Sequence, residues 1–392
     1  MSSRFARFPW NLAGLFLAIR LMSLMGLPLE GLRGYGDLIH FYKLAGLGRP
    51  FIDYWVEFPP LFPVLNVFLK QLSGGQEHVY NYLLITILSF AQAGNLVVFG
   101  KLALNLFGET KANRLGWIYF AFLIGLSYGW WYFDPLAVLA MLVGLYWLLE
   151  GEDGRAGFAL AAGILTKWFP ALTLAVAWRF RPIRRALLVT AIALGTTAVV
   201  FAILFLLAPE MTLASLTSQI SKGSWETVWA LLDGNLSTGN FGSVWQRFDP
   251  ATASLPPGNP PVVPPVLMLA LFLGLGGWLF SRMKDRSDRS AISFLGLTWS
   301  IFLLWSPGWS PQWILYLLPI ILLSMPVTRG IGFSLNLIFV SLLEWPILLS
   351  RGRFDLLWLP IVIRTMLLVL LAVAFGRVAL SRQGEEHLRG VR

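Results

Sequence analysis

The chain contains no cysteine, which excludes disulfides, thiolate metal sites and a lipid-modified cysteine anchor. Charge is nearly as scarce. Of 392 residues only 13% are Asp, Glu, Lys or Arg, against 57% hydrophobic, and the mean hydropathy is +0.69. An ordinary soluble domain carries about a quarter charged residues, so that class is excluded too. Acidic groups are fewest, 20 against 30 basic ones, leaving a formal net charge of +10. The surplus does not point to nucleic acid, because of where it sits. Basic residues occupy short connectors: Arg4 and Arg7; Lys101, Lys111 and Arg114; Arg179, Arg181, Arg184 and Arg185; Arg282, Lys284, Arg286 and Arg289; and the C-terminal tail. That is the pattern of cytoplasmic loops, and it puts both termini on the cytoplasmic side.

What is present in quantity is apolar length. A helix needs about 20 apolar residues to cross the hydrocarbon core. Runs at 10–29, 79–101, 114–130, 134–149, 184–208, 261–281, 290–305, 311–325, 331–349 and 355–378 meet or approach that. The expectation is an all-α, polytopic bundle of about 10–12 transmembrane helices in the plasma membrane, with residues 1–392 as one domain. No small-residue cleavage site follows the first run, so residues 1–29 read as an uncleaved helix. The 18 Trp and 10 Tyr suit interfacial belts and a carbohydrate-facing cavity alike.

Two segments break the up-and-down pattern. Residues 58–72 extend only about 22 Å as a helix, with Pro59, Pro60 and Pro63 crowding the start. They are expected to lie in the outer interface, apolar face down. Residues 155–179 must enter and return within 25 residues if the arginines at both ends are inside, whereas two crossings need about 40. A re-entrant hairpin with Lys167–Pro170 at its apex answers this, since broken backbone is tolerated where it lines a cavity. In a rival arrangement both segments cross once; that puts the basic connector 101–114 outside. A long outer loop, 209–260, rich in Trp, Ser and Gly, is expected to fold as amphipathic pieces. Phe-Asp-Pro occurs at 133–135 and 248–250 without a longer repeat.

The chemistry concentrates between residues 30 and 78, above all in GYGDLIHFYKLAGLGRPFIDYWVEFPPL, Gly34 to Leu61. Asp37 and His40, three apart, share one side of a helical turn. A carboxylate there can take a proton from an attacking hydroxyl, or can simply cap a short helix. Asp53 and Glu57, four apart, suit sugar hydroxyls or a divalent cation, but two carboxylates alone do not make a metal site; no cofactor is expected. Asp134, in WWYFDP, reads as a helix cap followed by proline and equally as a cavity-mouth carboxylate. Lys167, in GILTKWFP, is a costly mid-segment charge that needs a partner, such as a phosphate, or a route to the surface. Arg20 and Arg364 are similarly placed. Late in the chain, Gln312 lies in the turn WSPGWSPQW, a candidate contact for sugar or lipid head. Arg351 and Arg353, in SRGRFD, are candidates for meeting a phosphate.

Taken in order, these pieces carry a resemblance. An Asp follows the first helix, then come G-x-P-[FY]-x-D-Y-x-x-E-[FY]-P-P-L (Gly48–Leu61), Phe133–Pro135, Thr166–Pro170 and Ser310–Trp313. The chain resembles the GT-C superfamily of membrane glycosyltransferases, most of all bacterial polyprenol-phosphate-mannose-dependent mannosyltransferases. The resemblance implies inverting transfer of a monosaccharide, mannose foremost, from a polyprenyl-phosphate donor to a glycan or glycolipid acceptor on the outer face. It implies Asp37 as base, Lys167 toward the leaving phosphate, Asp134, Asp53 and Tyr54 near a sugar, and Glu57 shaping the loop.

A transporter or flippase for a lipid-linked sugar would also use ten or so helices, although the two halves of this sequence do not resemble each other. An oligosaccharide ligase using a lipid diphosphate would be expected to carry arginine pairs and a histidine in its large outer loop. Residues 209–260 hold only Lys222 and Arg247, and no histidine.

Overall fold

The structure, a computed structural model, describes residues 8–239, 241–255, 258–283 and 286–380. Arg4, Arg7, Lys284 and the basic tail lie outside the described residues. In chain order the helices begin with α1 (Phe8–Gly26), α2 (Leu29–Arg33), α3 (Leu38–Leu44), α4 (Leu61–Leu72) and α5 (Glu77–Phe107). Next are α6 (Glu109–Gly125), α7 (Tyr128–Trp131), α8 (Asp134–Glu150), α9 (Asp153–Thr166) and α10 (Leu174–Phe180). Then follow α11 (Ile183–Leu207), α12 (Pro209–Ser221), α13 (Val228–Asp233) and α14 (Pro265–Arg282). The chain ends with α15 (Asp288–Trp305), α16 (Ile314–Ser324), α17 (Val327–Leu342) and α18 (Trp358–Leu380). No strand occurs among the described residues, so the all-α class holds.

Every apolar run read from the sequence is largely helical, although 114–130 breaks at Leu126–Ser127 and 331–349 at Trp345. Six described segments are long and apolar enough to cross a membrane: Phe8–Gly26, Glu77–Phe107, Ile183–Leu207, Pro265–Arg282, Val327–Arg351 and Phe354–Leu380. The helices α6 and α8 have 17 residues each, about 25 Å, somewhat less than the hydrocarbon core. The outer surface is apolar: Met22, Phe90, Trp117, Phe158, Leu206, Leu271 and Phe339 are all exposed. An exterior of that kind is stable against lipid tails, not water. This is a membrane protein.

The described residues group into two compact units. The first comprises residues up to 173, 184–223 and 239–258; the second comprises 174–183, 224–238 and the chain from 259 onward. In the first unit α5 packs against α1, α6 and α8, and α8 packs against α9. Small residues let the backbones close: a Cβ on Gly144 would stand 2.6 Å from Leu160 Cδ2, the close packing that membrane helices favour. In the second unit α15 packs against α18, α16, α10 and α14.

Both segments that break the up-and-down pattern in the sequence are short or broken in the structure. α4 is 12 residues, about 18 Å, too short to span. It buries Phe62, Pro63, Asn66 and Leu69 and exposes Leu61, Val64, Phe68 and Leu72, an apolar stripe at helical spacing. α9 stops at Thr166, and Lys167 is extended at φ −157°, ψ 140°. Pro170 then folds back over α9, since a Cβ on Gly163 would meet Pro170 Cβ at 2.7 Å. A continuing helix would separate those two residues by about 10 Å. The following limb, from Leu174, belongs to the second unit. The loop 209–260 is built of α12, α13 and two 3₁₀ turns, Val244–Phe248 and Pro250–Ser254, and is shared between the units.

Candidate functional site

Asp37 occupies the N-cap position of α3, yet its side chain makes no capping hydrogen bond. Its backbone is what is held. The Asp37 N–H donates to Trp131 O at 3.1 Å, and Asp37 O accepts from the Phe41 N–H at 2.8 Å. Trp131 acts as an anvil for this turn. Its indole Nε1 donates to Leu32 O at 3.2 Å, and Tyr35 meets it edge-on at 6.1 Å. Gly34 and Gly36 lie so close that a Cβ on either would stand 2.3 Å from Trp131. At Gly36 the crowding includes Trp131 Cα at 2.7 Å, which no rotamer change relieves. The carboxylate therefore points away from the helix end and lines a cavity.

That cavity encloses about 650 Å³ and is lined by Asp37, His40, Lys43, Lys70, Ser243 and Trp245, among others. Lys43 is exposed at the end of α3. Lys70 donates to Tyr42 O at 3.1 Å and lies 4.0 Å from the Tyr42 ring centroid, so it caps the C-terminal end of α3 and helps neutralise it. Loss of water also lowers the proton affinity of its ammonium.

Behind the cavity stands a knot of charges. Lys167 Nζ donates to Asp134 Oδ1 at 2.7 Å, with Asp134 fully buried and its Oδ2 without a partner. Asp134 is the first residue of α8, not its cap, and no side chain caps that helix. The ammonium of Lys167 lies 5.0 Å from the Phe133 ring centroid. Phe133 stacks on Phe62 at 3.8 Å and meets Phe58 at 5.0 Å, so the pair sits in a low-dielectric aromatic wall.

Glu57 sits in a second pair that sequence reading missed. Arg247, 190 residues away, holds both carboxylate oxygens of Glu57 in a fork, one contact at 2.9 Å. Arg247 is 1% exposed and stands 4.7 Å from the Trp55 ring centroid. The joint is reinforced by backbone bonds. Trp55 N–H donates to Arg247 O at 3.0 Å, and the Trp55 indole donates to Asp249 O at 3.1 Å and Thr252 Oγ1 at 3.0 Å. Gln219 donates to Glu57 O, and Val56 N–H donates to Ser215 Oγ at 3.0 Å. His40 Nε2 approaches Glu57 Oε1 at 3.8 Å.

The electrostatics follow. Burial away from water pushes the Asp37 carboxyl up to about 6; His40 and Lys167 pull it down, while Glu57 and Asp134 add to the rise. Burial also pushes Glu57 upward, but Arg247 and His40 more than reverse that and hold it well below the usual carboxylate range. Two carboxylates in one neighbourhood are thus driven apart in acidity, the arrangement by which a fold separates a base from a structural anion.

No protein-family model matches this chain, and no curated protein matches it either.

Of the residues singled out in the sequence, the structure gathers Asp37, His40, Glu57, Asp134 and Lys167 into one charge-coupled cluster. Asp53 has another task. It accepts from Arg49 N–H at 2.7 Å and pairs with the Arg49 guanidinium at 2.8 Å, closing the turn 49–53. Tyr54 is buried in the apolar cluster of Leu44, Phe51 and Phe201, with its hydroxyl made less acidic by loss of water. Gln312, Arg351 and Arg353 belong to the second unit. There Arg351 donates to Ile347 O at 3.0 Å, and Arg353 pairs with Asp355 at 2.9 Å in the open. Arg364 pairs with Glu344 and donates to Glu226 O within that unit. Arg20 donates to Leu123 O at 2.6 Å near the end of α6 and lies 4.1 Å from the Trp130 ring centroid, with no carboxylate partner among the described residues. Among the described residues no cluster of three or more His, Asp or Glu has the makings of a metal site.

Proposed function

We propose that this protein is a membrane glycosyltransferase of the GT-C type, transferring a monosaccharide, mannose foremost, from a polyprenyl-phosphate donor to a lipid-linked or glycan acceptor. The observation that carries the reading is Asp37: a carboxylate at a helix start, free of the capping bond, beside His40, Lys43 and Lys70 in one cavity. A base of raised proton affinity and an anion-seeking pair of ammonium groups match the two ends of such a reaction.

In this reading the acceptor hydroxyl attacks the anomeric carbon as Asp37 takes its proton. The bond from that carbon to the phosphate oxygen breaks, its electron pair leaves with the polyprenyl phosphate, and the anomeric configuration inverts. Lys43 and Lys70 meet the charge gathering on the leaving phosphate, the kind of stabilisation that supplies several kcal/mol in a dry site. Lys167, already bound to Asp134, is less available for the phosphate than the sequence suggested. Its place is behind the base, setting the field there. Arg247 and Glu57 fix the loop that forms the cavity wall. The stripe Leu61, Val64, Phe68 and Leu72 on α4 lies in the outer leaflet, and both termini are cytoplasmic.

One feature favours a second reading, a carrier of lipid-linked sugar. Each unit buries an arginine inside an apolar helix, Arg20 and Arg364, as transport proteins do. A single assay separates the two. Purified protein in liposomes is given radiolabelled polyprenyl-phosphate mannose, glucose or arabinose with an extract of membrane glycolipids. Appearance of label in a new, anomerically inverted glycoside supports transfer. Unaltered donor that only changes leaflet supports the carrier.

A further inference from the structure

Trp245 is 70% exposed although it lines the same cavity as Asp37. An indole left this open on a flexible loop would lose much of its binding energy to the entropy of being fixed. This one is not on a flexible loop. Two residues on, Arg247 is buried and forked to Glu57. The peptide that follows it is tied to Trp55 at two carbonyls, Arg247 O and Asp249 O. Ser243 accepts from the Trp245 N–H at 3.4 Å, and Phe248 lies near-parallel to the indole at 6.3 Å. The ring is therefore presented to the cavity by a rigid support.

We propose that Trp245 is a sugar platform, the residue on which the transferred or accepting pyranose rests within the cavity. This rests on the glycosyltransferase reading and adds the contact that would recognise the carbohydrate itself. A pyranose has one face of C–H bonds carrying slight positive charge, which complements the electron-rich face of an indole. Its hydroxyl edge needs polar partners, and the Asp37 carboxylate and His40 line the same space. An indole serving only as an interfacial anchor would leave contact with the sugar ring unchanged when removed.

The test uses the full-length protein in nanodiscs, as wild type, Trp245→Ala and Trp245→Phe. Saturation-transfer NMR with methyl mannoside and methyl glucoside reads contact with the sugar ring directly. In parallel, the affinity for polyprenyl phosphate with and without its hexose reads the share due to the sugar. The platform requires sugar-ring saturation in wild type and Trp245→Phe and its loss in Trp245→Ala. It also requires that Trp245→Ala weaken the hexose-bearing lipid by about tenfold, with the sugarless lipid unchanged. Equal saturation in wild type and Trp245→Ala, or equal weakening of both lipids, overturns it. Should saturation depend on Trp245 while no transfer occurs, the platform stands and the enzymatic reading falls. Should transfer proceed unaltered in Trp245→Ala with saturation unchanged, the reverse holds.

Discussion

Asp37 illustrates how a residue is made reactive by what it is denied. It is half-buried and short of water, and its value of about 6 makes it a better proton acceptor at neutral pH than a fully solvated carboxylate. Two outcomes follow. The rate should fall as pH drops through about 6, measured as the acidic limb of a transfer-rate profile. Asp37→Asn should abolish transfer, and it should also raise the thermal unfolding midpoint. The sign of the second effect comes from linkage. A carboxyl raised from 3.8 to about 6 carries no penalty below its unfolded value and a full one, about 3 kcal/mol, above about 6. Removing the charge removes that penalty at neutral pH. Glu57 works oppositely: its depressed value stabilises the fold from mild acid upward and is lost only in strong acid. At this scale the sequence was partly legible. The acid was visible as Asp next to a helical run, but residue type alone favoured a cap. What decides against it is that Asp37 stands at the N-cap position and its side chain makes no capping bond. Gly36→Ala puts a methyl against Trp131 Cα, so kcat should fall more than KM for the donor.

Among the elements, the joint between the loops 48–58 and 239–258 is the one most exposed to mutation. A forked, buried pair broken on one side leaves a charge stranded, at a cost of about 3–5 kcal/mol. Arg247→Met should therefore destabilise strongly, and Glu57→Gln combined with Arg247→Met should recover most of the loss. A double-mutant cycle on unfolding midpoints measures this coupling. The joint was invisible in the sequence for a plain reason: periodicity reports neighbours within a few residues, and these partners are 190 apart. Arg247 was noticed only as one of two basic residues in a long loop. The helices were legible because bilayer thickness imposes a length on them, and the short α4 because three prolines stand within five residues of its start. Lys70 was not singled out, because nothing in its immediate sequence marks it apart from any basic residue near a helix end. The reversal at Lys167–Pro170 was legible from one lysine beside one proline in an apolar run. What lay beyond the local pattern was the lysine's partner, Asp134.

For the whole molecule, the prediction concerns sidedness. The cysteine-free chain accepts single cysteines as reporters. Lys43→Cys, on an exposed cavity residue, should react with an impermeant thiol reagent in intact cells. Asn113→Cys, exposed at the start of α6, should react only after permeabilisation. The opposite pattern would place the cavity in the cytoplasm and end the proposal of an outer-leaflet donor. Asp134, fully buried, is a poor reporter, which the sequence alone did not reveal. The grouping into two units was likewise beyond sequence reading, because the segments of each are interleaved along the chain, and hydropathy marks spans without saying which pack together.

That interleaving has a consequence for biogenesis. As the chain leaves the ribosome, Glu57 reaches the membrane long before Arg247 has been translated. A nascent chain arrested short of that arginine holds Glu57 without its guanidinium and the cavity without Ser243, Val244 and Trp245. The proposed site is thus completed late, after the first unit's early helices have been synthesised. Chaperones and quality-control proteases at the membrane would meet a well-embedded, inert precursor for most of synthesis.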